Sequence, residues 1–211
     1  MRLGVFGGTF NPVHMGHITA SLKFYDAASL DLLLVIPDRI PPHKEGKVAS
    51  GKDRIEMLRI AYSDADFVGT RNVEISDIEL LREGKSYTYV TLCELSEKYP
   101  DAEIFLYTGS DMFYTLESWY RGEDILKMCS VVTTARKKDE SPKLSEYVDR
   151  YGKRYGTKCI IMDYEPVVLS STEIRELFEG SHDKKSTEFT KKLLTDGVIE
   201  YIMKNGLYSG Q

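Results

Sequence analysis

Short apolar runs alternate with amphipathic stretches along most of the chain. The apolar runs predict six strands, at 2–6, 30–37, 66–70, 102–109, 129–135 and 158–163. Between them, apolar side chains recur every three or four residues and predict helices over 17–29, 51–64 and 86–100. In the second of these helices, Ile55, Leu58 and Tyr62 share one face. From residue 170 onward the pattern is helical only.

Strands separated by helices of this length predict an α/β fold built on a doubly wound parallel sheet, with helices on both faces. We expect one domain, with the sheet core in 1–165 and a helical C-terminal portion in 166–211. Ligands of such sheets bind beyond the carboxyl ends of the strands, where the strand order reverses, so the loop after the first strand is the expected binding loop. The charged stretch 135–146 is expected to be a mobile surface loop.

Charge and cysteine content exclude several classes of protein but add no candidate site. The 211 residues carry a net charge of -5, which argues against a general nucleic-acid-binding protein. No apolar run approaches the roughly 18 residues of a membrane span. Cys93, Cys129 and Cys159 are far apart and form no CxxC pair. We therefore expect a cytoplasmic protein with reduced thiols and without a nucleic-acid or membrane partner.

The stretch "GGTFNPVHMGH" follows the first strand and carries the first candidate chemistry. Gly7 and Gly8 allow the backbone to turn sharply and bring N–H groups close to an anion. The segment contains no G-x-G-x-x-G, and the "GKS" at 84–86 has Glu79 in place of the first Walker glycine, so a dehydrogenase and a P-loop ATPase are disfavoured. His14 and His17 are three residues apart, and both imidazoles can point toward this anion site.

Three other interpretations of the histidines remain open. They are a surface turn, a helix start at which His17 pairs with a carboxylate, and a zinc site. The zinc site has the least support, since the chain has four histidines and no cysteine near the loop.

The segment "SSTEIR", residues 170–175, predicts a second anion site. Ser170 and Glu173 have the spacing of a capping box before a helix, and a helix N-terminus suits a phosphate. Ser171, Thr172 and Arg175 would cluster around that end. The alternative is a well-capped helix with an exposed arginine.

Three further stretches carry candidate ligand-binding residues. "PPHK" presents Lys44 on a stiff loop, or is a proline-rich connection with an exposed lysine. "SYT" begins a helix that Ser86 or Thr88 could cap, and a helix N-terminus suits a carboxylate as well as a phosphate. In "GSDMFYTLESW", Asp111 could accept hydrogen bonds from a ribose, and Trp119 is either a stacking platform or a core residue.

Together these motifs resemble the nucleotidyltransferases with a (T/H)xGH signature on a Rossmann-like sheet, and among them the nicotinate mononucleotide adenylyltransferases. The resemblance spans residues 1–176. It implies transfer of AMP from ATP to nicotinate mononucleotide, with Mg²⁺ bound through the ATP phosphates and no metal site of the protein's own. A homo-oligomer is possible in this family. The same chemistry on nicotinamide mononucleotide or phosphopantetheine, and a nucleotide sensor without turnover, remain as alternatives.

The resemblance also assigns roles to residues of this chain. The implied catalytic residues are His14, His17, Lys44 and Arg175. The implied ATP-binding residues are Gly7, Gly8, Thr9, Phe10, His14, His17, Gly109, Asp111, Ser171, Thr172 and Arg175. The implied nicotinate mononucleotide-binding residues are Lys44, Tyr87, Thr88, Trp119 and Arg136. The chain departs from the family pattern at Thr115, where tyrosine is frequent, and at Lys137, where proline is usual.

Overall fold

A parallel sheet forms the centre of the molecule. The computed structural model describes residues 1–39, 48–63, 68–135, 141–164, 170–179 and 188–209. Over these residues the strands are β1 Arg2–Gly8, β2 Leu32–Pro37, β3 Val73–Ile75, β4 Glu103–Gly109, β5 Ser130–Thr134 and β6 Cys159–Met162. Their order in the sheet is β3-β2-β1-β4-β5-β6, and every pairing is parallel. The order reverses between β1 and β4, so the predicted doubly wound α/β fold is confirmed.

The strands read as continuous apolar runs because the sheet is covered on both faces. In β2, Leu32 and Leu34 belong to one buried cluster, while Leu33 and Val35 belong to the other. Alternation along the strand sends successive side chains to opposite faces. Each face therefore needs its own layer of helices.

Helices supply both layers. Their bounds are α1 Met15–Ala27, α2 Gly51–Ser63, α3 Ile78–Leu81, α4 Thr88–Lys98, α5 Ser110–Phe113, α6 Gly122–Met128, α7 Ser141–Tyr155, α8 Ser171–Glu179, α9 Glu188–Leu193 and α10 Asp196–Lys204. A 3₁₀ turn, Leu116–Ser118, lies between α5 and α6. One apolar cluster contains side chains of α1, α2, α8, α9 and α10, and the other contains side chains of α4, α5, α6 and α7.

The C-terminal helices share the apolar cluster of α1 and α2. Ile174 and Phe178 of α8 are fully buried in it, as is Ile202 of α10. The helical C-terminal portion therefore packs directly on the sheet core. The expected division between residues 165 and 166 lies outside the described residues.

Two predicted segments were wrong. Residues 66 and 67 of the strand expected at 66–70 lie outside the described residues, and Gly69 turns the chain with a φ of 61°. The strand β3 follows a few residues later. β3 is a three-residue edge strand, too short to give an apolar signal of its own. Of the expected loop 135–146, residues 136–140 lie outside the described residues, and residues 141–146 begin α7, whose Leu144 and Tyr151 are fully buried. The many charged residues of this segment led to the prediction of a loop, although its apolar residues have helical spacing. Across the described ranges, no helix has the length and apolar character that crossing a membrane requires.

Candidate active site

The loop after β1 is held from two distant parts of the chain. Asn11 Oδ1 accepts hydrogen bonds from the backbone N–H of Ala49, at 3.0 Å, and from the hydroxyl of Tyr208, at 2.8 Å. Asn11 itself is buried. Residues just before α2 and just after α10 thus fix the middle of this loop, which we call the histidine loop, residues 9–17.

The residues predicted to contact ATP at the start of the loop differ in whether their backbone or their side chain is accessible to a ligand. Gly7 borders open space, since a Cβ there would have no atom within 4 Å. A Cβ on Gly8 would approach the Phe10 ring to 3.0 Å, so the ring occupies the space that a side chain would need. Phe10 is buried against Phe6, and the Thr9 hydroxyl donates to Asp38 Oδ2 at 2.8 Å. Thr9 and Phe10 therefore have backbone groups, rather than side chains, to offer a ligand.

A buried cation lies beneath the histidine loop. Arg54 is 1% exposed, and its Nη1 donates to the Thr9 carbonyl at 2.9 Å and to Asp38 Oδ1 at 3.3 Å. Its Nε donates to the Ala49 carbonyl at 3.1 Å. Burial lowers the pKa of the guanidinium, and the Asp38 carboxylate beside it opposes that shift. Arg54 thus joins the loop, the end of β2 and the start of α2.

The structure brings the two histidines together. Helix α1 begins two residues earlier than predicted, with His14 as its N-cap and His17 in its first turn. Their rings stack with centroids 3.7 Å apart, and the His14 backbone N–H donates to His17 Nδ1 at 3.3 Å. Because His17 Nδ1 accepts a hydrogen bond here, the neutral ring carries its own proton on Nε2. His17 can therefore donate a hydrogen bond from Nε2.

His14 is kept neutral by its surroundings. Burial lowers its pKa from 6.5 to about 4. Its Nδ1 is buried and has no hydrogen-bond partner within the part of the chain that the structure describes. A neutral His14 avoids repulsion between two cations at stacking distance.

The second motif meets the histidine loop directly. At the start of α8, Ser170 Oγ accepts from the backbone N–H of Glu173, and Glu173 Oε2 accepts from that of Ser170, both at 3.1 Å. The predicted capping box is therefore confirmed. Arg175 Nη1 donates to the Asn11 carbonyl at 2.9 Å, and Nη2 donates to Thr172 Oγ1 at 3.0 Å.

Ser171 adds a further contact, since its hydroxyl donates to the Pro12 carbonyl at 3.2 Å. The two motifs, more than 150 residues apart in sequence, thus form one site. The start of α8 faces the loop that carries both histidines.

The other predicted nucleotide contacts lie at the neighbouring strand end. Gly109 is the last residue of β4, which pairs with β1, and Asp111 is exposed in the short helix α5. Parallel neighbours end at the same edge of a sheet, so these residues lie at the edge from which the histidine loop departs.

The N-terminus of α4 departs from prediction. Neither Ser86 nor Thr88 caps it. Tyr87 is the N-cap and forms no side-chain cap hydrogen bond. Ser86 Oγ instead accepts from the backbone N–H of Arg39 at 2.9 Å. Because Ser86 bonds to Arg39 and Tyr87 gives no side-chain cap, neither residue occupies the first N–H groups of this helix, and such an end suits an anion.

An aromatic pair stands beside this helix end. The ring of Tyr87 packs against that of Tyr120, with centroids 4.6 Å apart and an interplanar angle of 37°. Tyr120 directly follows Trp119, which is half-buried. The predicted residues Tyr87, Thr88 and Trp119 thus lie on two adjoining segments. Lys44 and Arg136, the remaining predicted residues, lie outside the described residues, as does the Lys137 departure.

Sequence reasoning missed several supporting groups. Arg54 precedes Met57 and Leu58 by three and four residues, so it lies on the apolar face of α2, and a charge on such a face was the available signal. The buried Glu79 carboxylate accepts from the Thr91 hydroxyl at 2.6 Å and ties α3 to α4. Burial raises the pKa of Glu79. No pattern in the sequence pointed to this pair.

Comparison with known proteins agrees with these motifs. The family model of cytidylyltransferase-like proteins matches residues 5–177. A curated relative from Carboxydothermus hydrogenoformans, a probable nicotinate-nucleotide adenylyltransferase, is 33% identical over 211 residues, covering 98% of each chain. A relative from Bacillus mycoides with the same description is 34% identical, again covering 98% of each chain.

The chain belongs to the nicotinate-nucleotide adenylyltransferase family. Solved structures share its fold. A Plasmodium falciparum nicotinic acid mononucleotide adenylyltransferase complexed with NaAD has a TM-score of 0.79 at 20% identity, covering 98% of this chain and 97% of that one. A structure from Vibrio parahaemolyticus, a putative nicotinate-nucleotide adenylyltransferase, has a TM-score of 0.64 at 23% identity, with coverage of 100% and 98%.

Proposed function

We propose that this protein transfers AMP from ATP to nicotinate mononucleotide, which yields nicotinate adenine dinucleotide and pyrophosphate. The observation that carries the proposal is the junction of the two motifs, in which Arg175 donates to the Asn11 carbonyl of the histidine loop. The junction places a guanidinium, two imidazoles and a helix N-terminus at one strand end. Such a group suits a polyphosphate. The names of the full-length relatives support the same reaction.

The reaction needs little proton chemistry. An oxygen of the acceptor's phosphate attacks the α-phosphorus of ATP, the bond from that phosphorus to the bridging oxygen breaks, and pyrophosphate leaves. The acceptor oxygen is already anionic, so no general base is required. The barrier comes from repulsion between anions and from alignment, so catalysis rests on positioning and neutralisation of charge.

Three groups fit these tasks. His17 donates from Nε2 to a phosphate oxygen, while Arg175 supplies a permanent positive charge beside the loop. His14 stays neutral, and its ring, stacked on that of His17, is proposed to contact the ATP phosphates. On the strength of the resemblance, we include Lys44 as a second cation beside Arg175.

Mg²⁺ is proposed to arrive with ATP rather than in a site of the protein. Among the residues that the structure describes, no three histidine, cysteine, aspartate or glutamate side chains gather as metal ligands. A cation held by phosphate oxygens and water fits such surroundings. When bound, it would neutralise part of the charge on the phosphates.

On the acceptor side, we propose that the N-terminus of α4 binds the nicotinate carboxylate. The helix begins at Thr88 without a side-chain cap, so its first N–H groups can meet an anion. Trp119 and Tyr87 would contact the pyridine ring, and Arg136 would bind the phosphate. We also propose a cytoplasmic location, which the three unpaired cysteines support.

Replacing His17 with alanine tests the assignment. We expect kcat for dinucleotide formation to fall about 100- to 1,000-fold, the effect of removing one donor to developing charge. Lys23→Ala, on the exposed side of the same helix, is the matched control and should retain full turnover. A His17→Ala protein with wild-type unfolding and turnover within about threefold of wild type would contradict the role of His17.

A further inference from the structure

Thr115 and Trp119 are joined by a hydrogen bond between side chains. Trp119 Nε1 donates to Thr115 Oγ1 at 3.2 Å, and Thr115 Oγ1 donates to the Met112 carbonyl at 3.0 Å. The hydroxyl therefore uses its proton on the backbone and offers a lone pair to the indole. The indole N–H is the one polar group of the tryptophan side chain, so this contact fixes the only directional interaction the ring can make.

The acceptor itself is held firmly. The Thr115 backbone N–H also donates to the Met112 carbonyl, at 3.1 Å, and the Ser118 hydroxyl donates to the Thr115 carbonyl at 2.7 Å. A Cβ on Gly122 would stand 2.1 Å from the Leu116 carbonyl oxygen, so this turn closes only around a glycine. Thr115 Oγ1 is thus a fixed point against which the indole is oriented.

The indole belongs to a segment that adjoins the helix end proposed to bind the carboxylate. The ring of Tyr120, the next residue, packs against that of Tyr87 at a tilt of 37°, and Tyr87 is the N-cap of the helix end that suits the carboxylate. Trp119 is half-buried, so part of its ring remains available to a ligand. A stacking contact depends on the relative orientation of the two rings. A bond that orients the indole therefore bears on how well a pyridine ring is bound.

We propose that Thr115 is a positioning residue for the acceptor, which acts by holding the Trp119 indole in the orientation that stacks on the pyridine ring. This inference rests on the proposed function and deepens it. Thr115 stands where tyrosine is frequent in the family, so this chain orients its tryptophan with a hydroxyl close to the backbone.

Trp119 is the single tryptophan of the chain, which makes its fluorescence a direct readout of the ring. The variants are Thr115→Val, which keeps the shape and removes the hydroxyl, and Thr115→Ser, which keeps the hydroxyl. Ser118→Ala is the matched control, because it removes a hydroxyl contact from the same turn and leaves the indole bond intact. Tryptophan anisotropy is measured without ligand, and KM is measured for both substrates.

We expect Thr115→Val to lower the anisotropy and to raise the KM for nicotinate mononucleotide about three- to tenfold, with kcat and the KM for ATP unchanged. Thr115→Ser and Ser118→Ala should match the wild type. An unchanged KM for the mononucleotide in Thr115→Val overturns the proposal, as does an equal rise in Ser118→Ala, which would indicate a general loosening of the turn.

The same experiment separates this inference from the proposed function. A wild-type protein that does not use nicotinate mononucleotide would refute the proposed function and, with it, the role of Thr115 toward that substrate. The anisotropy of the ligand-free variants would still decide whether Thr115 restrains Trp119.

Discussion

The substitution Arg54→Met replaces a buried guanidinium with an apolar side chain. In the folded protein, Arg54 donates to two backbone carbonyls, of Thr9 and Ala49, and to the Asp38 carboxylate. Methionine leaves all three acceptors without this donor. The helix should persist, because methionine is a good helix former. The loss is therefore expected to fall on the histidine loop and on the start of α2.

The magnitude follows from burial. Removing one partner of a buried ion pair costs about 3–5 kcal/mol. The Asp38 side chain is 16% exposed and also accepts from Thr9 Oγ1, so part of its charge remains solvated and bonded. We therefore expect the lower end, about 3 kcal/mol. For a chain of this size each kcal/mol shifts Tm by about 2–4 °C, which gives a drop of about 6–12 °C.

Thermal unfolding followed by circular dichroism measures this drop, with Arg59→Met as the control. Arg59 lies on the same helix, its side chain is 60% exposed, and its ion pair with Glu56 spans 3.7 Å. An exposed pair of this kind contributes little, so the Tm of the control should stay within about 2 °C of the wild type. If Arg54→Met also melted within about 2 °C of the wild type, the guanidinium would not be holding the loop.

Three further predictions concern His14, α8 and the C-terminus. The pKa of His14 is about 4 in the folded protein and 6.5 in the unfolded chain. Its contribution to the free energy of unfolding is therefore complete above about pH 6.5 and is lost as the pH falls toward 4. The free energy of unfolding in urea should fall by about 3 kcal/mol over that interval, and an equal slope in His14→Gln would refute this origin. Ser170→Ala should cost about 1 kcal/mol through loss of the cap of α8, and an unchanged urea midpoint would show that the cap contributes nothing. Tyr208→Phe removes a hydrogen bond to Asn11 Oδ1 and should lower the free energy of unfolding by about 1 kcal/mol. Melting curves that superimpose on those of the wild type would show that this bond contributes nothing.

Local patterns predicted most of the sheet and much of the site. β1, β2, β4, β5 and β6 are short apolar runs, and their length and composition are visible without tertiary information. The cap formed by Ser170 and Glu173 was predictable for the same reason, since both partners lie within one turn. The meeting of the histidine loop with α8 was expected from the resemblance, because each segment carries a motif that is typical of anion sites.

The features that the sequence did not predict are contacts between residues distant in sequence. Asn11 is held by Ala49 and Tyr208, and no local pattern pairs residues separated by nearly the whole chain. Ser86 has the spacing of a cap but bonds to Arg39 instead, because the segment after β2 passes close to it. β3 was misplaced since its pairing with β2, rather than its own three residues, makes it a strand.

The most direct test of the account measures pyrophosphate release from ATP and Mg²⁺ with three acceptors in parallel: nicotinate mononucleotide, nicotinamide mononucleotide and phosphopantetheine. The account predicts rapid release with the first and much slower release with the other two, because the N-terminus of α4 favours a carboxylate. Equal or greater release with nicotinamide mononucleotide would contradict the role of that helix end. No release with any acceptor would contradict adenylyl transfer itself.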